Sequence, residues 1–322
     1  MHGLGERGID ARVWDVSALD EAELVRGVVT QAPRLVHAFH AFRTGPLAVD
    51  LARRLGVPYL VTLTGTDVNH DLVAADRREI VRRVLIGAAA VVVFHRSIAA
   101  VLTAALPEVA ARVVEIPQAV WFDRHDRADM PAEWGRPADH VLVLFPGGIR
   151  TVKNPLVVLR GLDPVAARHP RLRLAYAGPV LEPAEGEALL AGLSGRPWAR
   201  YLGPVPHPQM AALLAAADVV VNSSVSEGGM ANSVLEALAL GRAVLASDIE
   251  GNRSLIEHER TGLLFRDQDD LTVQAERLVT DPALRARLGA AGRARVERDY
   301  PPHREIDAYV ALYRSLGVLP LH

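Results

Sequence analysis

The chain has 322 residues, half of them apolar, with 36 Lys and Arg against 38 Asp and Glu. That length suits two ordinary domains with sizeable cores, and a net charge of -2 provides no field that would draw it to nucleic acid or to an anionic membrane. With no cysteine there are no disulfides, thiolate metal sites or cysteine nucleophiles, which fits a reducing cytoplasm.

No apolar run reaches the ~18 residues of a membrane span, and the first residues carry no signal-peptide pattern. The expectation is a cytoplasmic protein without a transmembrane segment. Aromatic residues are few, and Ala, Val and Leu dominate, as in parallel sheets buried between helices.

Met1–Gly8 reads as the end of a helix with Gly8 as its C′ residue. Short apolar runs then alternate with helical segments, the pattern of repeated βα units. Expected strands in the first half are Ala11–Val16, Leu35–Ala38, Tyr59–Leu63, Ala90–Phe94 and Val113–Ile116, with helices such as Leu47–Leu55 and Arg77–Gly87 between them. A polar, Pro- and Asp-rich linker follows. The second half starts afresh with Val141–Pro146 and continues with Leu172–Ala177, Ala199–Leu202, Val219–Asn222, Ala243–Ala246 and Gly262–Phe265. Its expected helices include Asn154–Arg168, Pro208–Ala216, Asn232–Leu240 and Leu271–Thr280, and a helical tail breaks at Pro301–Pro302.

The expected fold class is α/β, with two doubly wound Rossmann-like domains facing a cleft. Residues 1–125 form the first, 126–140 the linker, 141–300 the second, and 301–322 a C-terminal helix packing back toward the first. A doubly wound domain normally opens with a strand and a Gly-rich turn. Here Ile9–Val16 reads as a second strand and the first is missing, which would leave a gap in mid-sheet. The sequence favours a start upstream of Met1, with compensation elsewhere in the protein as the alternative.

Two segments of the second half combine a strand end, glycines and a helix start, the ingredients of an anion site. The first is Phe145–Pro155, containing Gly147, Gly148, Arg150 and Lys153. Arg suits forked contacts to phosphate oxygens and Lys provides a point charge. The plainer reading is a tight turn with two solvated cations. The second is Asn222–Glu236, containing Glu227, Gly228, Gly229, Met230, Ala231 and Glu236. Carboxylates do not bind phosphate, so the pair points to hydroxyls beside it, and a nucleotide sugar offers both. A surface acid and an acid favoured by the helix dipole are the plainer readings. Glu236 lies among Val234, Leu235, Leu238 and Leu240, where a charge is costly unless bonded. In a doubly wound sheet both loops open at one edge and can converge on one diphosphate.

In the first half, Thr64, Gly65, Thr66, Asp67 and Asn69 form a polar turn after a buried strand, suited either to an acceptor or to an Asx turn and helix cap. His37 and His40 flank another strand end, and a satisfied histidine is a commoner reading there than a metal ligand. His95–Arg96 adds charge or is a solvated turn. No P-loop, dinucleotide fingerprint or nucleophile elbow is present.

The ordered set Gly148–Lys153, Tyr201–Val205, Ala217–Ser224, Glu227–Gly228, Leu235–Leu238 and Thr261–Phe265 resembles the retaining glycosyltransferases of family 4, which have the GT-B fold. Within them the likeness runs to the glycosyltransferase-1-domain-containing proteins, through Gly65–Asn69, Gly148–Lys153, Asn222–Gly228 and Ile249–Asn252. The resemblance implies metal-independent sugar transfer from a nucleotide-diphosphate donor with retained configuration, the donor being substrate and no cofactor being needed. Arg150 and Lys153 would hold the diphosphate and Glu227 the donor sugar's hydroxyls. The backbone of Gly228–Ala231 would hold phosphate and sugar, Glu236 the ribose diol, and Val205 would border the base. Thr64, Gly65, Asp67, Asn69 and His40 would lie on the acceptor side.

Three departures stand out. Eight residues separate Glu227 from Glu236, one more than the family's usual spacing. Thr64 replaces the family's histidine. The missing first strand carries a Gly-rich turn in relatives. A rival reading is a non-catalytic nucleotide-sugar-binding or scaffold paralogue.

Overall fold

The apolar runs pair, in the computed structural model, into two parallel sheets of four and six strands. The structure describes residues 2–121 and 139–320, so the expected linker at 126–140 lies outside the described residues except for Asp139 and His140. Two compact units result: Met1–Ala119 with Pro302–His322, and Val120–Pro301.

The first unit begins with helices α1 (His2–Gly5) and α2 (Glu21–Gln31), the latter capped by the Asp20 carboxylate, which accepts from the amides of Ala22 and Glu23. Its strands are β1 (Val36–Phe39), β2 (Tyr59–Thr62), β3 (Ala90–Val93) and β4 (Val113–Glu115), and they lie in that order. Val36 sits opposite Tyr59, Leu60 opposite Ala90, and Val91 opposite Val113. Every residue of β2 and β3 is buried, which is why these strands read as unbroken apolar runs rather than alternating ones. Helices α3 (Gly45–Leu55), α4 (Arg78–Gly87) and α5 (Arg96–Ala105) connect them.

The expected strand Ala11–Val16 does not form; residues 9–15 pair with no strand. Its apolar residues serve a different purpose. Trp14 packs with Leu19 onto the Leu24, Val28 and Leu51 cluster, and Val13, on the other side, is 74% exposed. Nor is there a gap in mid-sheet, because β1 to β4 pair without interruption and β1 forms an edge.

The second unit carries β5 (Val141–Pro146), β6 (Leu172–Ala177), β7 (Ala199–Tyr201), β8 (Val219–Asn222), β9 (Ala243–Ser247) and β10 (Leu263–Phe265). Their order is β10-β9-β8-β5-β6-β7. The chain goes outward from β5 in one direction, then returns to its other side with β8. Adjacent strands β5 and β8 therefore flank the topological switch point, where ligands of open α/β sheets bind beyond the carboxyl ends. Helices α6 (Pro155–Arg168), α7 (Pro183–Leu193), α8 (His207–Ala216), α9 (Asn232–Ala239), α10 (Glu250–Arg253), α11 (Gln268–Thr280) and α12 (Pro282–Asp299) complete the unit. Its core joins Leu174 and Tyr176 of β6 to Leu159 and Leu162 of α6 and Leu271 and Leu278 of α11. Burying each such side chain contributes about 1.5–3 kcal/mol.

After Pro301 the chain re-enters the first unit as α13 (Pro302–Ser315), whose Tyr309 and Tyr313 pack on Leu60 and Val92. Their hydroxyls meet Thr62 Oγ1 at 3.3 Å and His37 Nδ1 at 3.0 Å. His37 Nε2 lies 2.7 Å from Thr62 Oγ1. Burial pushes His37 down to about 3, so it is a neutral core residue bonded on both sides. Burial likewise pushes the Tyr313 hydroxyl up to about 12.

Candidate functional site

Two loops meet at the switch point of the second unit. The first leaves β5, where the Gly147 amide donates to Ala177 O at 2.8 Å and the Ile149 amide to Pro179 O at 2.8 Å. Arg150 is extended, Thr151–Lys153 make one 3₁₀ turn, and Asn154 takes a left-handed φ of 46° before Pro155 opens α6. The second loop leaves β8 at Asn222 and ends at Ala231, from which α9 starts without a side-chain cap. Its first amides are thus available to an anion.

Hydrogen bonds staple these loops together. Ser223 Oγ lies 2.8 Å from Lys153 O and 2.9 Å from Asn154 O. The Val225 amide donates to Val152 O at 2.9 Å. This brings Lys153 Nζ to 2.5 Å from Glu227 Oε1, in a pair whose side chains are 18% and 11% exposed. The same carboxylate oxygen accepts from Ser224 Oγ at 2.6 Å and from Asn222 Nδ2 at 3.1 Å. Arg150 contributes a buried Nε with no hydrogen-bond partner. A guanidinium offers forked donors that suit an anion's oxygens.

Gly229 has a φ of 116°, which only glycine adopts without strain. A residue of left-handed φ thus lies in the loop between Glu227 and the start of α9. Gly228 is half-buried, while Met230 and Ala231 are buried. Glu236 is half-buried on α9, among the buried Val234, Leu235, Ala237 and Leu238. Gly148 is half-buried beside Leu181. Val205, also half-buried, follows β7. It connects to the Arg150 loop through the turn after β6, where the Gly178 amide donates to Gly203 O at 2.9 Å and Pro179 O receives Ile149.

Beneath the loops lies a network that sequence reasoning missed. Asn252, fully buried in α10, donates from Nδ2 to Asn222 Oδ1 at 3.3 Å, to Ser247 O at 2.9 Å and to Ser247 Oγ at 3.1 Å. Ser247 Oγ in turn lies 2.5 Å from Ser224 O. Two signals were available: polar residues at the ends of otherwise apolar strands, Asn222 closing β8 and Ser247 closing β9, and the Ile249–Asn252 segment that carried part of the resemblance.

In the first unit the polar turn after β2 organises itself around Asp67. This residue is fully buried, and its carboxylate accepts from the amides of Ala41 (3.0 Å), Thr64 (3.1 Å) and Gly65 (2.8 Å). Asp67 thus builds the turn, while Thr64 and Asn69 are exposed on it and Gly65 is buried with a φ of 104°. His40 has a φ of 86°, accepts at Nδ1 from the amides of Phe42 (3.2 Å) and Arg43 (3.3 Å), and holds Nε2 3.6 Å from Asp71 Oδ2. Burial pushes His40 below its ordinary value, partly offset by the Asp67 charge. Burial alone would raise Asp71, but hydrogen bonds from His70 and Arg77 outweigh it and hold this carboxyl low. His95 caps α5, taking the Ser97 amide at 3.3 Å. Among the described residues no group of three or more His, Asp or Glu is placed to hold a metal ion.

Two parallel-sheet α/β units, the second with cationic and carboxylate loops at its switch point, define a GT-B protein, and solved structures bear this out. HepE of Anabaena, crystallised with UDP-glucose, superposes with a TM-score of 0.77 at 16% identity over 98% of this chain and 88% of that one. Sucrose-phosphate synthase from Thermosynechococcus elongatus gives 0.72 at 21% identity over 96% and 83%. Residues 140–281 match the family model described as glycosyl transferases group 1, and this match, with the named relatives, supports reading the chain as a glycosyltransferase. Its relatives include glycosyltransferase 1 domain-containing protein 1 of Xenopus tropicalis, 29% identical over 81% of this chain and 77% of the relative. Another is the D-inositol 3-phosphate glycosyltransferase of Nocardioides sp., 32% identical over 58% of this chain. The match spans only 45% of the latter's length.

Proposed function

We propose that the chain transfers a sugar from a nucleoside-diphosphate donor to an acceptor with retention of anomeric configuration and without a metal ion. Arg150 and Lys153 would hold the diphosphate, the amides of Gly228–Ala231 its oxygens and the sugar, Glu227 the sugar's hydroxyls, and Glu236 the ribose diol. As the anomeric carbon–oxygen bond breaks, charge develops on the leaving phosphate. Two cations and an uncapped helix start fixed beside it would stabilise that charge without reorganising, the task a metal ion performs in other transferases. The acceptor oxygen would attack from the face the phosphate leaves, passing its proton to the departing oxygen.

The observation that carries this reading is the stapling of the two loops at the β5–β8 switch point, which seats Lys153 on Glu227 in the loop that leads into α9. HepE was solved with UDP and with UDP-glucose, and two further neighbours with UDP, which makes a UDP-sugar the first donor to test. Val205 would border the base, and Thr64, Asn69 and the turn built by Asp67, Gly65 and His40 would serve the acceptor side. A thermal-shift screen of nucleotide sugars tests the reading, since a ligand at 100 times its dissociation constant adds about 2.7 kcal/mol. NMR of the product from the best donor should then show the donor's own anomeric configuration. Binding without transfer or hydrolysis would replace the enzyme by a nucleotide-sugar-binding protein, and an inverted product would remove retention.

A further inference from the structure

Arg150 stands at a position that does not suit an arginine's chemistry. It is the N-cap of the single turn Thr151–Lys153, in extended backbone with φ −162° and ψ 159°, and it makes no side-chain cap bond. N-cap positions favour Ser, Thr, Asp and Asn, whose side-chain oxygens accept from the first amides of the turn. A guanidinium has N–H donors and no acceptor, so Arg150 cannot close its own turn.

The missing acceptor comes from another loop. Glu182, 31 residues from Thr151 and just before α7, accepts at Oε2 from the Thr151 amide at 2.9 Å and from Thr151 Oγ1 at 2.5 Å. Glu185 Oε1 stands farther off, 3.4 Å from the same hydroxyl. The Thr151 hydroxyl, and then its amide, hold the Glu182 carboxyl below its ordinary value, with the Arg150 charge contributing less. The residue before Arg150 is pinned to the same loop. Ile149 pairs with Val180 in an isolated parallel bridge. Its amide donates to Pro179 O at 2.8 Å, and its carbonyl accepts from the amides of Leu181 at 3.0 Å and Glu182 at 3.2 Å. Arg150 O accepts from the Lys153 amide at 3.0 Å. The backbone is thus held on both sides of Arg150 by the turn between β6 and α7, while the guanidinium keeps a buried Nε with no hydrogen-bond partner among the described residues. A carboxylate beside a diphosphate site has the wrong sign of charge for the ligand, so its use there calls for a task other than ligand contact.

We propose that Glu182 is a positioning residue for Arg150: it supplies the cap that an arginine cannot, and so holds residues 149–151 in the backbone arrangement that aims the guanidinium at the donor's diphosphate. Forked contacts to phosphate oxygens need a fixed approach, whereas a lysine ammonium on its flexible stem reaches them as a point charge. This inference rests on the donor-site reading above and adds to it the residue that orients its arginine.

The test is a double-mutant cycle on the complete chain with inorganic pyrophosphate as the probe, read by calorimetry, because pyrophosphate carries the diphosphate and leaves the base out. Glu182→Ala should weaken binding about tenfold, the worth of one hydrogen bond to a charged group. Glu182→Gln keeps an oxygen that can accept from Thr151 and should bind within about twofold of the parent, whereas a loss of about tenfold would make the charge rather than the cap the cause and overturn the proposal. In the Arg150→Lys background no fork has to be aimed, so adding Glu182→Ala should change affinity less than about twofold. Equal losses in both backgrounds would reduce Glu182 to a support of the loops, which overturns the proposal while leaving the donor site intact. If Glu182→Ala fails to fold, as judged by circular dichroism, Thr151→Val, which removes the hydroxyl partner, carries the cycle with the same expected signs. Pyrophosphate binding that is absent in the parent protein, or insensitive to Arg150→Met, would overturn the donor-site reading itself.

Discussion

Gly251 is the position where one methyl group should act on the site from outside it. A Cβ built on Gly251 would lie 2.6 Å from Glu227 Cβ and 3.3 Å from Gly229 O. Carbon atoms pack at about 3.5–4.0 Å, so Gly251→Ala requires a displacement on the order of 1 Å. The obstructing atom is the root of the Glu227 side chain rather than its flexible end, and α10 is held by Asn252 to Ser247. The loop must therefore move, taking Glu227 away from Ser224 and Asn222. Overpacking of this kind costs about 1–3 kcal/mol, and a 1 Å misplacement near the reacting groups can cost on the order of 100-fold in rate. The assay pairs thermal unfolding with initial rates on the donor found by screening. The expected result is a modest loss of stability with a rate loss of about 100-fold, while Gly5→Ala, which meets nothing within 4 Å, leaves the rate unchanged. A Gly251→Ala protein with parental rates would refute the close packing of α10 on Glu227.

Three further outcomes follow from other parts of the molecule. His37 is neutral when folded and near 3 by burial, whereas an unfolded histidine takes up a proton below about 6.5. Its contribution is thus complete above about 6.5 and falls by about 1.4 kcal/mol per pH unit down toward 3. His37→Gln should remove about 2 kcal/mol of the stability lost between pH 7 and pH 5 in urea titrations, and identical slopes would disprove it. Asp67→Asn sets an amide NH₂ against the backbone amides of Ala41 or Gly65. It should destabilise by about 3 kcal/mol, from one lost charge-assisted bond and one unmet donor, and a change under 1 kcal/mol by chemical denaturation would contradict the turn's construction. Glu236→Ala should weaken a nucleoside diphosphate about tenfold and leave pyrophosphate affinity unaltered; an equal loss for both ligands in calorimetry would separate Glu236 from the ribose.

How far the molecule could be read from its sequence differs from part to part for physical reasons. Val141–Pro146, Leu172–Ala177 and Val219–Asn222 form strands with the expected bounds. Strands buried on both faces are near-continuous apolar runs, here interrupted only by the half-buried Arg173 and closed by Pro146 and Asn222. Residues 11–16 are also mostly apolar, but apolar residues say only that part of a segment is buried, not that another strand pairs with its backbone. There the burial is supplied by α2, through Trp14. The residue types of the second-unit loops were legible because anion-binding turns need glycine and cations. The seating of Lys153 on Glu227 was not, since it depends on Ser223 joining loops 70 residues apart. Asn252 stood in the Ile249–Asn252 likeness, but its bond to Asn222, 30 residues away, was not legible from a four-residue helix.

The same reasoning explains why the spacing between the two glutamates can vary in the loop but not in the helix. From Asn232 onward the buried positions Val234, Leu235 and Leu238 fix the rotation of α9 against the sheet. An inserted residue within the helix would turn every later side chain by about 100° and carry Glu236 onto another face. Before Asn232 no such constraint applies. Gly229 reverses the chain with its left-handed φ, its carbonyl accepts from Ser254 Oγ at 3.3 Å, and the next residue, Met230, is buried at 5% exposure. The loop is thus tied at Glu227 by the Asn222 and Ser224 donors and at Gly229 by Ser254, the residue after α10. A carboxylate at each end keeps its place because each is referenced to its own anchor, Glu227 to the end of β8 and Glu236 to the packing of α9.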